Sequence, residues 1–196
     1  MYTYSFFNDY SEGAHPNILE ALKSENLVQD LGYGFDEVSV RTRKLILEQT
    51  KTDSDVYFLS GGTQTNLIAI ASVLRPFECV VSASTGHINV HEAGAIEATG
   101  HKVESVATKD GKLTTENIKS VLDRWEDEHM VVPKMVYISN STELGTVYTK
   151  SEIEMLYDYC LKNNLYLFLD GARLGSALMS EGSELTLEII AKNTHM

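Results

Sequence analysis

The sequence predicts an α/β fold, built in three layers with a mostly parallel β-sheet in the middle. Two observations lead to this prediction. Short apolar runs, typical of buried strands, recur along the 196-residue chain. Stretches with apolar residues at helical spacing alternate with them. Strands and helices that alternate in this way indicate a parallel sheet with helices packed on both faces.

The sequence predicts two helices before the first strand. The first begins at His15 and has Pro16 in its first turn, where a missing N–H costs nothing. The second covers residues 38–50, where Val38 and Leu45 lie on one helical face.

Five apolar or alternating runs are predicted to be strands, and helices are predicted between and after them. The strands cover residues 55–60, 79–82, 102–107, 134–139 and 166–170. The helices cover residues 67–74, 91–99, 114–125, a segment capped by Ser151, and 184–193. Gly100 is expected to end the helix over 91–99. Ser151 and Glu154 have the spacing of a capping box.

Composition excludes several functional classes. Sixteen Lys+Arg against 28 Asp+Glu give a net charge of −12, which argues against binding to nucleic acid or to an anionic membrane surface. The chain is 43% hydrophobic and 22% charged, as in an ordinary globular domain. The N-terminus has no signal-peptide pattern, and no apolar run reaches the length of about 18 residues needed to span a membrane. The sequence therefore predicts a cytoplasmic protein.

The two cysteines, Cys79 and Cys160, are too few for a disulfide scaffold. Both lie among apolar residues, so we expect them to be reduced and buried. The histidines and cysteines do not have zinc-binding spacing, and no metal site is predicted.

Polar residues follow three of the predicted strands. They are residues 60–63, residues 139–143 and residues 170–173. Ligands of parallel sheets bind outside the carboxyl ends of the strands. We therefore expect these three segments to form one site.

The segment Gly61-Gly62-Thr63-Gln64 connects a predicted strand to a helix. Two glycines allow close approach of a ligand, and unpaired N–H groups at a helix start attract anions, so the segment is a candidate phosphate site. It lacks the Gly-Lys-Ser/Thr of a nucleotide-binding P-loop. The alternative is an ordinary tight turn capped by Thr63.

Asp170 and His87 are the other candidates for chemistry. Asp170 ends an apolar strand, where a carboxylate needs a partner. That partner is either Arg173 or a cationic ring nitrogen of a ligand. His87 can stack on an aromatic ligand or transfer protons, or else it is a structural or solvated histidine.

Taken together and in order, these motifs resemble the threonine aldolase/β-eliminating lyase family. Its members are enzymes dependent on pyridoxal 5'-phosphate (PLP), with the aspartate aminotransferase fold. The motifs are Asn8-Asp9-Tyr10, Gly32-Tyr33-Gly34, Gly62-Thr63-Gln64-Thr65-Asn66, His87 with Glu92-Ala93-Gly94, Thr142 with Gly145, and Asp170-Gly171-Ala172-Arg173. The resemblance runs over nearly the whole chain and implies the large, cofactor-binding domain of that fold.

The resemblance also implies roles for the residues that bind the cofactor and the substrate. Gly62, Thr63 and Gln64 would hold the cofactor phosphate. His87 would stack on the pyridine ring, and Asp170 would contact its nitrogen and keep it protonated, which makes the ring an electron sink. Arg173 would bind the substrate carboxylate or an oxygen of the cofactor. Asn8 would also bind the substrate carboxylate.

Glu143 departs from the family pattern. Typical threonine aldolases have a substrate-facing histidine at the position of Glu143. Glu143 is therefore a second catalytic candidate, as an acid/base group that replaces the histidine. Alternatively, this branch acts on another amino acid, as a β-eliminating lyase or an aminotransferase.

By resemblance, residues 1–196 correspond to the N-terminal segment and an incomplete large domain. The family's Schiff-base lysine, the last sheet strands and the C-terminal small domain would lie beyond Met196. The parent enzyme would cleave a β-hydroxy amino acid to glycine and an aldehyde. This chain alone is expected to be inactive, and a non-catalytic fragment is the remaining alternative. Because family sites are built between subunits, we expect a homo-oligomer, a dimer or a tetramer.

Overall fold

The computed structural model describes residues 5–196 of the chain. The chain forms two compact units, Met1–Arg41 and Thr42–Met196. The first unit contains helix α1 (Pro16–Glu25), which starts where His15 Nδ1 accepts a hydrogen bond of 3.2 Å from the N–H of Asn17. Helix α2 (Glu37–Thr50) begins in the first unit and ends in the second.

The second unit is built on a sheet of four parallel strands. They are β1 (Glu78–Ala83), β2 (Lys102–Val106), β3 (Val132–Ser139) and β4 (Tyr166–Asp170). Their order in the sheet is β2-β1-β3-β4. The chain therefore leaves β1 toward one side for β2 and continues on the other side with β3. The gap between the carboxyl ends of β1 and β3 is the topological switch point, where such sheets bind ligands.

Helices cover both faces of this sheet. They are α3 (Gly62–Val73), α4 (His87–Val90), α5 (Thr115–Leu122), α6 (Lys150–Lys162), α7 (Leu174–Leu178) and α8 (Leu187–Lys192). Alternate residues of the strands enter two separate cores. Val136 packs with residues of α5, α6 and α8, whereas Met135 and Tyr137 pack with residues of α3 and α4. The predicted three-layer α/β fold is confirmed.

Residues 55–60, predicted to be a strand, are not part of the sheet. The carbonyl of Val56 accepts a hydrogen bond from Arg43 Nε at 3.1 Å, and the side chain of Tyr57 is 78% exposed. An apolar run is a strand only when a neighbouring backbone pairs with it. Within residues 5–196 this segment has no such neighbour.

The helix predicted over residues 91–99 is also wrong. Only a 3-10 turn, Glu97–Thr99, forms there, and the helical residues before it are those of α4. The chain breaks at Ala93 and Gly94, which have φ angles of +50° and +75°, outside the helical region. Gly100 does end the turn in the left-handed conformation, as predicted.

Other helices begin a few residues away from the predicted positions. Thr149, with Glu152, forms the capping box of α6, in place of the predicted Ser151 and Glu154. Thr186 caps α8, which therefore starts three residues later than predicted. α3 starts earlier than predicted, at Gly62.

Both cysteines are free and buried, as predicted. Burial raises the pKa of the Cys79 and Cys160 thiols to about 12. Among residues 5–196, no helix has the length and apolar character needed to cross a bilayer.

The outer edge of β4 is bonded by the last residues of the chain. The N–H of His195 donates to the carbonyl of Leu167 at 2.8 Å, and the N–H of Leu169 donates to the carbonyl of Met196 at 2.9 Å. In addition, His195 Nδ1 accepts from the N–H of Leu167 at 2.9 Å. A neutral imidazole can accept this bond, whereas a protonated one cannot.

This contact predicts an acid-sensitive contribution to stability. Burial, followed by the positive charge of Lys134, lowers the pKa of His195 below its ordinary value. The unfolded chain therefore binds the proton more readily. The contribution is complete above about pH 6.5 and is lost as the pH falls through the lowered pKa of the folded state. In urea unfolding, the loss of stability between about pH 7 and pH 5 should be smaller in His195→Asn than in the wild type, because asparagine keeps a hydrogen-bond acceptor and does not titrate. An equal loss in wild type, His195→Asn and the control His129→Asn would contradict this.

Candidate functional site

Three of the loops that reach the carboxyl edge of the sheet carry the candidate residues. His87 follows β1 as the first residue of α4, Glu143 follows β3, and Asp170 is the last residue of β4. The turn before His87 depends on Gly86. A Cβ at Gly86 would clash with the hydroxyl of the fully buried Ser82, so glycine suits this close passage over β1.

The Asp170 carboxylate accepts three hydrogen bonds. Its Oδ2 accepts from the hydroxyl of Tyr137 at 2.6 Å and from Asn66 Nδ2 at 3.1 Å. Its Oδ1 accepts from the N–H of Ala172 at 3.0 Å. Three donors from separate parts of the chain fix both oxygens of this half-buried carboxylate. The sequence predicted that a carboxylate at the end of an apolar strand would need such partners.

Tyr137 is the buried donor in this arrangement. Its side chain is 1% exposed. Burial raises the pKa of Tyr137 far above its ordinary value, and the negative charge of Asp170 and the hydrogen bond to it raise the pKa further. The phenol therefore keeps its proton at neutral pH and donates it to Asp170.

Asn66 connects Asp170 to a second carboxylate. Its amide nitrogen donates to Asp170 and also, at 2.6 Å, to Oε1 of Glu92. The same Oε1 is 2.8 Å from His87 Nδ1. Asn66 is 2% exposed and Glu92 is 6% exposed, so this connection is shielded from water.

Glu143 completes the connection from the other side. Its Oε1 accepts from the N–H of His87 at 2.8 Å and from the hydroxyl of Ser139 at 2.6 Å. The hydroxyl of Ser139 is in turn 3.5 Å from that of Tyr137. Ser139 donates its one proton to Glu143 and Tyr137 donates its own to Asp170, so the 3.5 Å pair is a contact between two oxygens. We call this connected set of residues the site network. Its members are Asn66, His87, Glu92, Tyr137, Ser139, Glu143 and Asp170.

The glycine pair lies at the start of α3. Gly61 is the N-cap and no side chain caps the helix, so the alternative in which Thr63 caps it is wrong. A Cβ at Gly61 or Gly62 would meet nothing within 4 Å. Gln64 Oε1 accepts from both the N–H and the hydroxyl of Ser60, at 2.9 and 2.7 Å. This open, uncapped helix start can receive an anion.

The structure thus brings some predicted residues together. His87, Glu143 and Asp170 share the site network. Gly62 lies one helical turn before Asn66, on the same face of α3. Arg173 directly precedes α7, three residues after Asp170.

Asn8 belongs to the first unit. Its side-chain oxygen accepts from the N–H of Tyr10 at 3.1 Å and from the hydroxyl of Ser11 at 2.6 Å, which forms a local turn. Its assignment to the substrate carboxylate stays a prediction.

The sequence did not assign roles to Asn66 and Tyr137. Asn66 belongs to a quoted motif, and its position one turn after the glycine pair was the available signal. Tyr137 of β3 pairs with Phe168 of β4, two positions before the pair formed by Ser139 and Asp170. No pattern within β3 alone marks it.

Comparison with known proteins gives consistent matches. The family model described as β-eliminating lyase matches residues 9–193. The low specificity L-threonine aldolase of Pseudomonas aeruginosa is 30% identical over 178 residues, which cover 90% of this chain and 51% of that protein. The enzyme of the same name from Saccharomyces cerevisiae is 28% identical over 165 residues, covering 82% of this chain and 42% of that protein. The chain spans about half the length of the curated relatives it matches.

Solved structures agree. A structure of Leishmania major threonine aldolase has a TM-score of 0.96 and 53% identity, over 98% of this chain and 56% of that chain. A PLP-bound C-S lyase from Staphylococcus hominis has a TM-score of 0.57 and 11% identity, over 81% of this chain and 41% of that chain. At this low identity the second likeness concerns the fold alone.

The bond from Tyr137 to Asp170 predicts a loss of stability on its removal. Tyr137→Phe should lower the free energy of unfolding by about 1–3 kcal/mol, because a half-buried carboxylate loses a donor. Urea unfolding measures the change. Tyr166→Phe, in β4 and outside the site network, is the matched control, and an equal effect of both substitutions would contradict the assignment.

Proposed function

Because the chain belongs to the β-eliminating lyase family, we propose that the full-length protein is a PLP-dependent lyase of the L-threonine aldolase type. It would cleave a β-hydroxy amino acid between Cα and Cβ, to glycine and an aldehyde. Residues 1–196 would contribute the N-terminal segment and part of the large domain. The observation that carries the proposal is the Asp170 carboxylate, which three donors hold in one network with His87 at the carboxyl edge of the sheet.

The residues present fit PLP. Bound PLP supplies an electron-accepting ring that stabilises negative charge at the substrate Cα. The N–H groups at the uncapped start of α3 would hold the phosphate, with Gly62 and Thr63 in contact and Gln64 behind them. Asp170 would accept a hydrogen bond from the protonated ring nitrogen. The side chain of His87, 40% exposed, would present its ring face to the pyridine.

Two further residues would bind the amino acid. The guanidinium of Arg173 has the planar fork of donors that suits a carboxylate. By the family resemblance, Asn8 is the second candidate for the substrate carboxylate. With the carboxylate held, the substrate could present its Cα–Cβ bond in only a few orientations.

Glu143 would act on the substrate hydroxyl. The N–H of His87 and the hydroxyl of Ser139 hold its Oε1 in place. Its Oε2 would then accept the proton of the β-hydroxyl as the Cα–Cβ bond breaks. A carboxylate at this position, where typical threonine aldolases have histidine, also favours the second candidate, β-elimination or transamination of another amino acid.

We also propose a cytoplasmic homo-oligomer. The reduced, buried state of Cys79 and Cys160 suits a reducing compartment. The first unit exposes large apolar side chains, among them Phe6, Phe7 and Tyr33, and such surfaces are commonly covered by another subunit.

Product analysis tests the reaction. The full-length protein with PLP should convert L-threonine to glycine and acetaldehyde, and Asp170→Ala should lower kcat/KM by at least about 10²-fold. Serine and cysteine serve as comparison substrates. Formation of pyruvate and ammonia from these, with no glycine from threonine, would replace the aldolase assignment by β-elimination.

The phosphate assignment predicts a separable effect of Gly62→Ala. The added methyl meets nothing within 4 Å in the protein, so the melting temperature should change by no more than about 2 °C. It would stand where the phosphate approaches, and the Kd for PLP should rise about tenfold, while the Kd for pyridoxal, which has no phosphate, stays unchanged. Ser72→Ala at the other end of α3 is the control. An unchanged Kd for PLP in Gly62→Ala would contradict the assignment of the phosphate to the start of α3.

A further inference from the structure

Glu92 is a buried acid without a part in the chemistry proposed above. Its side chain is 0% exposed. One oxygen, Oε1, takes both hydrogen bonds, from Asn66 at 2.6 Å and with His87 Nδ1 at 2.8 Å. The other oxygen, Oε2, has no hydrogen-bond partner among the described residues. A buried carboxylate with one unsatisfied oxygen is costly, so its presence calls for an explanation.

The chemistry of the two partners fixes the direction of the bond to His87. A carboxylate only accepts hydrogen bonds. His87 Nδ1 must then carry the proton, and the other ring nitrogen, Nε2, keeps its lone pair. Glu92 is fully buried and the His87 side chain is 40% exposed, so the ring is held by its buried nitrogen while another part of it remains accessible.

We propose that Glu92 is a positioning residue, which holds His87 as the Nδ1–H tautomer so that Nε2 keeps its lone pair and can accept a proton from the reacting groups. The inference deepens the proposed function and rests on it for the identity of those groups. Free neutral histidine prefers the opposite tautomer, with the proton on Nε2. In that form His87 could only donate a hydrogen bond from Nε2 and could not take a proton there.

Asn66 extends this control to Asp170. Its amide nitrogen donates to two carboxylates, those of Glu92 and Asp170. The amide cannot turn over without placing its carbonyl oxygen against a carboxylate. One buried side chain therefore sets the positions of the acid beside His87 and of the acid proposed to meet the ring nitrogen.

The competing explanation is that Glu92 only satisfies Asn66 and stabilises the fold. The two explanations differ in which nitrogen of His87 is protonated when Glu92 or Asn66 is substituted. Glu92→Gln keeps the shape of the side chain but removes the charge. Asn66→Ala removes the other bond to the same oxygen and leaves Glu92 in contact with His87.

The experiment is ¹⁵N NMR of the cofactor-free, full-length protein labelled at histidine, at a pH where histidines are neutral. In wild type, His87 should show a protonated Nδ1 and an unprotonated Nε2. In Glu92→Gln, the signals should shift toward the Nε2–H form. In Asn66→Ala, the Nδ1–H form should persist. His91, whose ring centroid is 5.4 Å from that of His87, is the internal control and should keep its signals in all variants.

Turnover by the PLP-loaded enzyme gives a second readout. Glu92→Gln should lower kcat by at least about tenfold, with KM changed no more than about twofold, because His87 would be present in the wrong tautomer. Glu92→Asp, which keeps a carboxylate one methylene shorter, should recover part of kcat and part of the Nδ1–H signal.

Two results would overturn the inference. One is an Nε2–H form of His87 in the wild type, which can be seen without any variant and so does not depend on how the variants fold. The other is a Glu92→Gln protein whose His87 stays fully in the Nδ1–H form. The tautomer is measured without substrate or cofactor. An Nδ1–H wild type that shifts in Glu92→Gln but has no aldolase activity would support the role of Glu92 and refute the proposed reaction.

Discussion

The organisation of the site follows from one constraint, the placement of the Asp170 carboxylate at the end of a buried strand. A charge at this position is stable only with donors around it, and a half-buried sheet edge offers few of them. The protein supplies Tyr137 from β3, Asn66 from α3 and the backbone of Ala172. Each donor brings its own element into place, so the sheet and the α3 layer are fixed together at the point where chemistry is proposed.

The parallel sheet and its polar edge could be predicted from the sequence. Strands buried on both faces are apolar runs, and the residues that follow them in parallel order must share an edge. Hydrogen bonds through Asn66 and Glu92 connect His87 with Asp170, as expected for residues at one such edge. The family resemblance inferred from the motifs is also confirmed. The roles given to single residues remain predictions.

The predictions that were wrong failed for physical reasons that cannot be read from a short stretch of sequence. Residues 55–60 have the composition of a strand, but pairing is decided by a neighbouring backbone. Residues 91–99 have the composition of a helix, but two successive residues with positive φ prevent it. The bond between Asn66 and Asp170 joins residues 104 positions apart. Such a bond depends on where each helix lies along the sheet, and side-chain packing sets that position.

One helix connects the two ends of the proposed cofactor site. Gly62 at its start and Asn66 one turn later are joined by continuous helical hydrogen bonds, and a turn of α-helix advances about 5.4 Å. The helix is therefore a rigid spacer between the anion position and the amide that orients the two acids. In the proposed site, a ligand that reaches from the anion position to Asp170 would have to match this fixed span, so α3 would set the length of the ligand as well as attract its charge.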